Sequence, residues 1–263
     1  MHPKISCLTV TGWRLVLLKQ SIRCFLDQTY PNKELVIVTD ADRQYKTAIN
    51  DYVKQLNAPE IRLIFLDGKH NLGTLRNNAI EAAKGELIMQ WDDDDLYHPL
   101  RMQLQYECLI REKAQACLLS DQLSFFGAGK EMFWVDWIPH YQDSPMHQVF
   151  PGSILAVKDA RFRYPESGQY STQGEDSVFL GQYIDSGKIA RLSGQGFIYV
   201  YRYHGNNTFP REHHQWITDL HACEPAFIQQ RMAPLLSALT YYPLPEPYFF
   251  FAKEKERLFV FKK

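Results

Sequence analysis

Hydrophobic positions in roughly the first 115 residues follow two rhythms that take turns. Ile5 to Val10 is an apolar run of strand length, broken by Thr11-Gly12. Leu15, Leu18, Ile22, Phe25 and Leu26 then recur at helical spacing until Tyr30-Pro31-Asn32 stops them. Glu34 to Val38 predicts a second strand ending at Thr39-Asp40. Asp51 to Leu56 predicts the end of a second helix, and Ile61 to Leu66 a third strand. Thr74 to Lys84 predicts a helix with Leu75, Ala79, Ala82 and Ala83 on one face and Gly85 as its C-terminal cap. Leu87 to Trp91 predicts a fourth strand that runs straight into Asp92-Asp93-Asp94-Asp95. Pro99 opens another helix, with Met102, Tyr106, Leu109 and Ile110 on its buried face.

This alternation predicts an α/β fold, a mostly parallel Rossmann-like sheet flanked by helices. Ligands of such sheets bind outside the carboxyl ends of the strands. Thr11, Thr39-Asp40 and Asp92 to Asp95 all follow strand ends, so they share one rim. From residue 116 the rhythm is lost. Strand-like pieces at Cys117 to Ser120, Met132 to Trp137, Ile154 to Val157 and Phe197 to Tyr201 predict a mixed lobe. Glu212 to Arg231 predicts a helix, and Tyr248 to Phe251 with Leu258 to Phe261 a hairpin around Lys253 to Arg257. The expected organisation is a Rossmann-like half (1–115), a mixed half of the same domain (116–211) and a C-terminal extension (212–263).

The chain has 263 residues, 45% hydrophobic, 22% charged and 14% aromatic, with formal net charge −1. That length can bury a large core without staples. The charge balance offers no field for nucleic acid. Five cysteines, an odd number without a CxxC pair, predict reduced, buried thiols and a cytoplasmic setting. Met1 to Ile5 carries no signal-peptide apolar region, and no run of about 18 apolar residues occurs. Peripheral contact at the inner membrane face stays open, as does self-association through the hairpin.

Four consecutive aspartates repel one another unless a cation sits among them. A hard divalent ion, Mg²⁺ or Mn²⁺, takes oxygen ligands and completes its shell with water and substrate phosphates. The alternative is a solvated acidic turn that favours the next helix through its dipole. Glu175-Asp176 at a helix start is, on its own, equally compatible with ordinary capping.

Asn71-Leu72-Gly73-Thr74-Leu75-Arg76-Asn77-Asn78, then Ala83-Lys84-Gly85-Glu86, then Trp91 to Leu96 together resemble glycosyltransferase family 2 with its GT-A fold. Ser6 to Arg14 and Asp27-Gln28-Thr29-Tyr30-Pro31 extend the resemblance, which covers about residues 5 to 210. It implies an inverting transferase (hexosyltransferase class) that moves a sugar from a nucleoside diphosphate donor, a UDP-sugar above others. The acceptor would be a hydroxyl of a glycan or lipid-linked molecule, in surface polysaccharide synthesis.

By that resemblance Thr11, Arg14, Asp40, Arg76, Asn77, Asp92 and Arg202 contact the nucleotide sugar. Asp94, Asp95 and His204 hold the metal. Asp176 is the general base, supported by Glu175. His204 belongs to Tyr201-Arg202-Tyr203-His204-Gly205-Asn206-Asn207-Thr208, which resembles a segment closing over the donor diphosphate. Trp134 and Trp137, with Phe133 and Tyr141, are either acceptor-stacking or core residues. Pro151-Gly152-Ser153 are expected on the acceptor side, and His213-His214 as surface residues at a helix start. Two other functions compete: a sugar-phosphate nucleotidyltransferase, and a non-catalytic nucleotide-sugar-binding protein of the same fold. Thr9 to Arg14 is a poor version of the phosphate loop the former needs. Loss of an acidic ligand would mark the latter, and none is lost.

Overall fold

The computed structural model describes residues 2–140 and 144–263. Met1 and Tyr141 lie outside the described residues. The first half follows the predicted rhythm: β1 (Ile5–Val10), α1 (Leu15–Leu26), β2 (Lys33–Thr39), α2 (Arg43–Leu56), β3 (Ile61–Phe65), α3 (Leu72–Ala82) and β4 (Leu87–Gln90). Then come β5 (Leu96–Tyr97), α4 (Arg101–Arg111), β6 (Ala116–Leu119), β7 (Asp121–Phe126), β8 (Glu131–Asp136), β9 (Leu155–Val157), α5 (Glu175–Ser186), β10 (Ile189–Leu192) and β11 (Tyr199–Tyr203). The chain finishes with α6 (Arg211–His221), α7 (Pro225–Gln229), α8 (Met232–Leu239), β12 (Tyr248–Phe251) and β13 (Arg257–Phe261).

One sheet has the order β10-β6-β9-β4-β1-β2-β3 and is parallel except at β9. Its strands send alternate residues to opposite faces. Ile5, Cys7, Leu35, Ile37 and Met89 join the core beneath α1 and α4. Leu8, Val36, Val38 and Ile88 join a second core beneath α3 and α5. Burial on both faces is why these strands read as continuous apolar runs. A second sheet, β13-β12-β8-β7-β11-β5, leans against the carboxyl end of the first. All five cysteines are free and buried. Among the described residues no helix is long and apolar enough to cross a membrane.

Three local expectations change. Gly85 does not cap α3; Ala83 does, in extended conformation (φ −63°, ψ 131°). Gly85 is required by close approach instead, since a Cβ there would lie 2.6 Å from the Lys4 carbonyl oxygen. The helix expected over Glu212 to Arg231 is broken, because Pro225 starts a new helix and the preceding chain runs along β8. There Cys223 N–H donates to the Trp134 carbonyl at 2.8 Å. The C-terminal hairpin forms, and β12 also pairs in parallel with β8, so the hairpin completes the second sheet.

Candidate functional site

β1 and β4 are parallel neighbours, so the turns that follow them emerge side by side. Thr11 Oγ1 donates to Asp93 Oδ2 at 2.6 Å. Arg14, opening α1, places Nη1 2.6 Å from Asp94 Oδ2 and Nη2 2.7 Å from Asp93 Oδ1. The four aspartates thus acquire different surroundings. Asp92 accepts from Arg76 Nη2 at 3.0 Å and Gln90 Nε2 at 2.9 Å. Burial, then the charge of Asp94, pushes the Asp93 carboxyl up to about 7. Burial also opposes ionisation of Asp94, but the His204 hydrogen bond and the Arg14 charge outweigh it and hold that pKa below the ordinary value. Asp95 sits at the floor of the cleft with both carboxylate oxygens engaged. It accepts from Tyr199 O–H at 2.6 Å and Arg202 N–H at 2.9 Å, and burial raises its pKa well above the usual range.

The second acidic pair opens α5, entered through Gly174 at φ +76°, a left-handed conformation that suits glycine. Arg76 of α3 is buried between the two acidic sites. Its Nε lies 2.9 Å from Glu175 Oε1, while Nη2 holds Asp92. Asp176 is half-buried. Burial, then the Glu175 charge, pushes it up to about 6, with Arg76 opposing. Asp92 to Asp95 and Gly174 to Ser177 line one cleft of about 520 Å³.

The segment after β11 supplies the third part. Gly205 turns at φ +90°, and the Asn207 side chain pins the turn to His204 N–H and the Arg202 carbonyl at 2.9 and 2.8 Å. His204 Nε2 lies 3.1 Å from Asp94 Oδ2. Asn206 N–H donates to His204 Nδ1 at 3.3 Å, so the neutral ring carries its proton on Nε2, toward Asp94.

Among the described residues no group of three His, Cys, Asp or Glu side chains is gathered closely enough to hold a metal. Asp94 and His204 still suit a divalent cation. An ionised carboxylate oxygen and an imidazole nitrogen face each other, and a cation would replace the one proton between them. Its remaining ligands would come from water and donor phosphate. Asp95, expected in this set, has both oxygens engaged elsewhere.

The family model "Glycosyl transferase family 2" matches residues 14–147, just over half of the chain. The chain belongs to that family. WcaA of Escherichia coli K12, whose name places it in colanic acid biosynthesis, is 37% identical over 101 residues, 38% of this chain and 36% of WcaA. The succinoglycan biosynthesis protein ExoO of Rhizobium meliloti 1021 is 26% identical over 199 residues, 70% of this chain and 56% of ExoO. The match thus spans about a third to just over half of these relatives' length. S. aureus TarS 1–349 in complex with UDP-GlcNAc superposes with TM-score 0.61 at 17% identity, covering 92% of this chain and 68% of TarS. The mannosyltransferase PcManGT from Pyrobaculum calidifontis, in complex with GDP-Man and Mn²⁺, gives 0.58 at 13%, covering 93% and 66%. At such identities these two show the fold alone, and that fold is the expected GT-A arrangement.

Within this family 2 framework, several expected site residues sit elsewhere. Asp40 shares the rim but not the cleft wall; it accepts from His70 N–H at 2.7 Å. Asn77 is buried and ties α3 to Tyr164 and Glu166. The Arg202 guanidinium is buried against the Asp94 carbonyl and Gln20, holding the backbone of the acidic run rather than facing the cleft. Trp134 is fully buried and donates to Asp121 Oδ2 at 2.7 Å, so it is a core residue; Phe133 packs with Phe126 and Phe251. Trp137, Pro151 and Gly152 do line the cleft, whereas Ser153 is buried beneath it. His213 and His214 also line the cleft, and His214 is buried between Tyr201 and Tyr203. Sequence reasoning missed Trp216, one helical turn beyond His213, and Tyr199, which holds Asp95. The spacing of His213 and Trp216 was the available signal for the first.

Proposed function

We propose that the chain is an inverting glycosyltransferase that moves a sugar from a UDP-sugar to a hydroxyl of a glycan or lipid-linked acceptor. Its setting would be surface polysaccharide synthesis on the cytoplasmic side of the membrane. The observation that carries this reading is that Asp176 and the acidic run share one cleft, braced by Arg76. The TarS and PcManGT complexes support a nucleotide-sugar donor, and the names of WcaA and ExoO support the polysaccharide setting.

In the reaction Asp176, as carboxylate, takes the proton of the acceptor hydroxyl. That oxygen bonds to the anomeric carbon while the bond to the diphosphate oxygen breaks on the opposite face. A base with pKa raised to about 6 is mostly ionised at neutral pH and accepts a proton better than an ordinary aspartate. Arg76 holds Glu175 and Asp92 in place, and so fixes the start of α5 relative to the donor end. Thr11 and Arg14 orient Asp93 and Asp94. Asp94 and His204 would hold Mn²⁺ or Mg²⁺, which when bound supplies positive charge against the leaving diphosphate.

The test is release of nucleoside diphosphate from a panel of nucleotide sugars with Mn²⁺ and candidate acceptors. Asp176→Asn should lower kcat about 10²–10⁴-fold. Full turnover in that variant removes the base assignment, a product of retained anomeric configuration removes single displacement, and no release with any donor removes the enzyme reading.

A further inference from the structure

The cleft has two chemically different halves. The donor half holds the carboxylates. Among the described residues Arg14 and Arg76 are the only lysines or arginines on its wall, and both are already paired with acids. The other half is built by β7, β11 and α6 and is aromatic. Phe209 stacks on His213 with centroids 4.3 Å apart and planes 20° apart, and His213 lies 6.2 Å from Trp216 on the same face of α6. Trp216 meets His221 edge-on at 6.5 Å, and His221 lies 4.8 Å from Trp137. Trp137 Nε1 donates to Gln122 Oε1 at 2.8 Å, which fixes that indole.

Trp216 is 52% exposed at the cleft although it is one of the largest apolar side chains in the protein. An aromatic surface left open on a cleft wall is a ligand surface before it is a packing surface. His213 and His214 do not supply charge at neutral pH. Burial lowers the pKa of His213, and burial followed by the His213 charge brings His214 down to about 4. Gln122, Ser124, Asn207 and Thr208 add neutral polar groups to the wall. A pyranose ring matches this surface, with a C–H face to lay on indole and hydroxyls at its edge for neutral partners. A phosphate or carboxylate would find no uncommitted cation and would face Asp92, Asp94 and Asp176.

We propose that this aromatic half is the acceptor subsite and that it takes the terminal ring of an uncharged glycan, stacked on Trp216 and Trp137. The proposal rests on the reading of the whole cleft as a glycosyl-transfer site.

Saturation-transfer NMR on the full chain tests it. The probes are neutral methyl glycosides of glucose, galactose, mannose and N-acetylglucosamine, the matching glucuronide and glucose 6-phosphate glycoside, and, separately, UDP with Mg²⁺. At least one neutral glycoside should bind more strongly than the two acidic probes. Trp216→Ala should weaken that binding about tenfold, Trp216→Phe should restore most of it, and the UDP signal should persist. Stronger binding of an acidic probe, no neutral glycoside bound while UDP binds, or undiminished binding in both Trp216→Ala and Trp137→Ala would each overturn the proposal. A wild-type protein that binds glycoside but not UDP would instead overturn the donor reading and leave this subsite standing.

Discussion

Replacing Arg76 by glutamine removes the cation that bridges the two acidic sites. The side chain is 7% exposed, and its nitrogens lie 2.9 Å from Glu175 and 3.0 Å from Asp92. Removing one partner of a buried ion pair costs about 3–5 kcal/mol, because the other charge is left without compensation. Asp92 retains 24% side-chain exposure and can recruit water, so the lower end, about 3 kcal/mol, is expected. For a chain of this size that lowers Tm by about 6–12 °C. A second consequence follows for the base. Arg76 holds the Asp176 pKa down, so without it that pKa rises above about 6. Asp176 acts ionised, hence activity is present above its pKa and lost as pH falls through it. The acid limb of the kcat/KM profile therefore moves to higher pH in Arg76→Gln. Thermal melts and the pH dependence of nucleoside diphosphate release measure both effects. Adding Glu175→Gln, which removes a stranded carboxylate, should recover part of the Tm loss. A Tm within about 2 °C of wild type together with an unmoved acid limb would refute the bracing role of Arg76.

Asp121 receives Trp134 Nε1–H and the Gly194 and Gly196 N–H groups at 2.6–2.7 Å, so Asp121→Asn, with one acceptor oxygen, should cost about 2–3 kcal/mol in urea unfolding. Burial, ahead of these hydrogen bonds, raises the folded Asp121 pKa from 3.8 to about 6, so the native state binds the extra proton and wild-type stability falls as pH rises across that window. Asp121→Asn should lack that slope. Tyr199→Phe leaves Asp95 Oδ2 without its donor while Arg202 N–H still holds Oδ1, and should lower stability by about 1–3 kcal/mol by thermal melt and slow diphosphate release as the acidic run loosens. Gly73→Ala would place a Cβ 1.8 Å from the Pro165 carbonyl oxygen and should lower Tm sharply, while Gly12→Ala, with nothing within 4 Å of the added carbon, should leave it unchanged.

The parallel sheet was legible because strands buried on both faces and helices with one apolar stripe leave distinct periodicities. The acidic run was legible because like charges in a row at a strand end require a partner. What escaped were features that depend on distant chain segments. β7 was not recognised as a strand, since Gln122-Leu123-Ser124-Phe125 alternates over only four residues, and its polar members prove to line the cleft. Asp95 looks like a ligand until Tyr199 and Arg202 arrive from over a hundred positions away. Trp134 and Trp216 have the same side chain and opposite fates: the one on β8 packs inward onto Asp121, and the one on α6 faces the cleft.

The seating of β12 beside β8 bears on how the protein is made. Lys130 Nζ reaches the Glu246 carbonyl across 116 positions, and Phe249 to Phe251 pair with Glu131 to Phe133. A ribosome delivers β8 long before its neighbour, so in the nascent chain one rim of the second sheet carries unmet N–H and C=O groups. An unpaired rim is an invitation to a strand from another chain. Yield in a cell should therefore respond to synthesis rate and chaperone supply more than equilibrium stability suggests, and removal of β12 and β13 would make that transient exposure permanent.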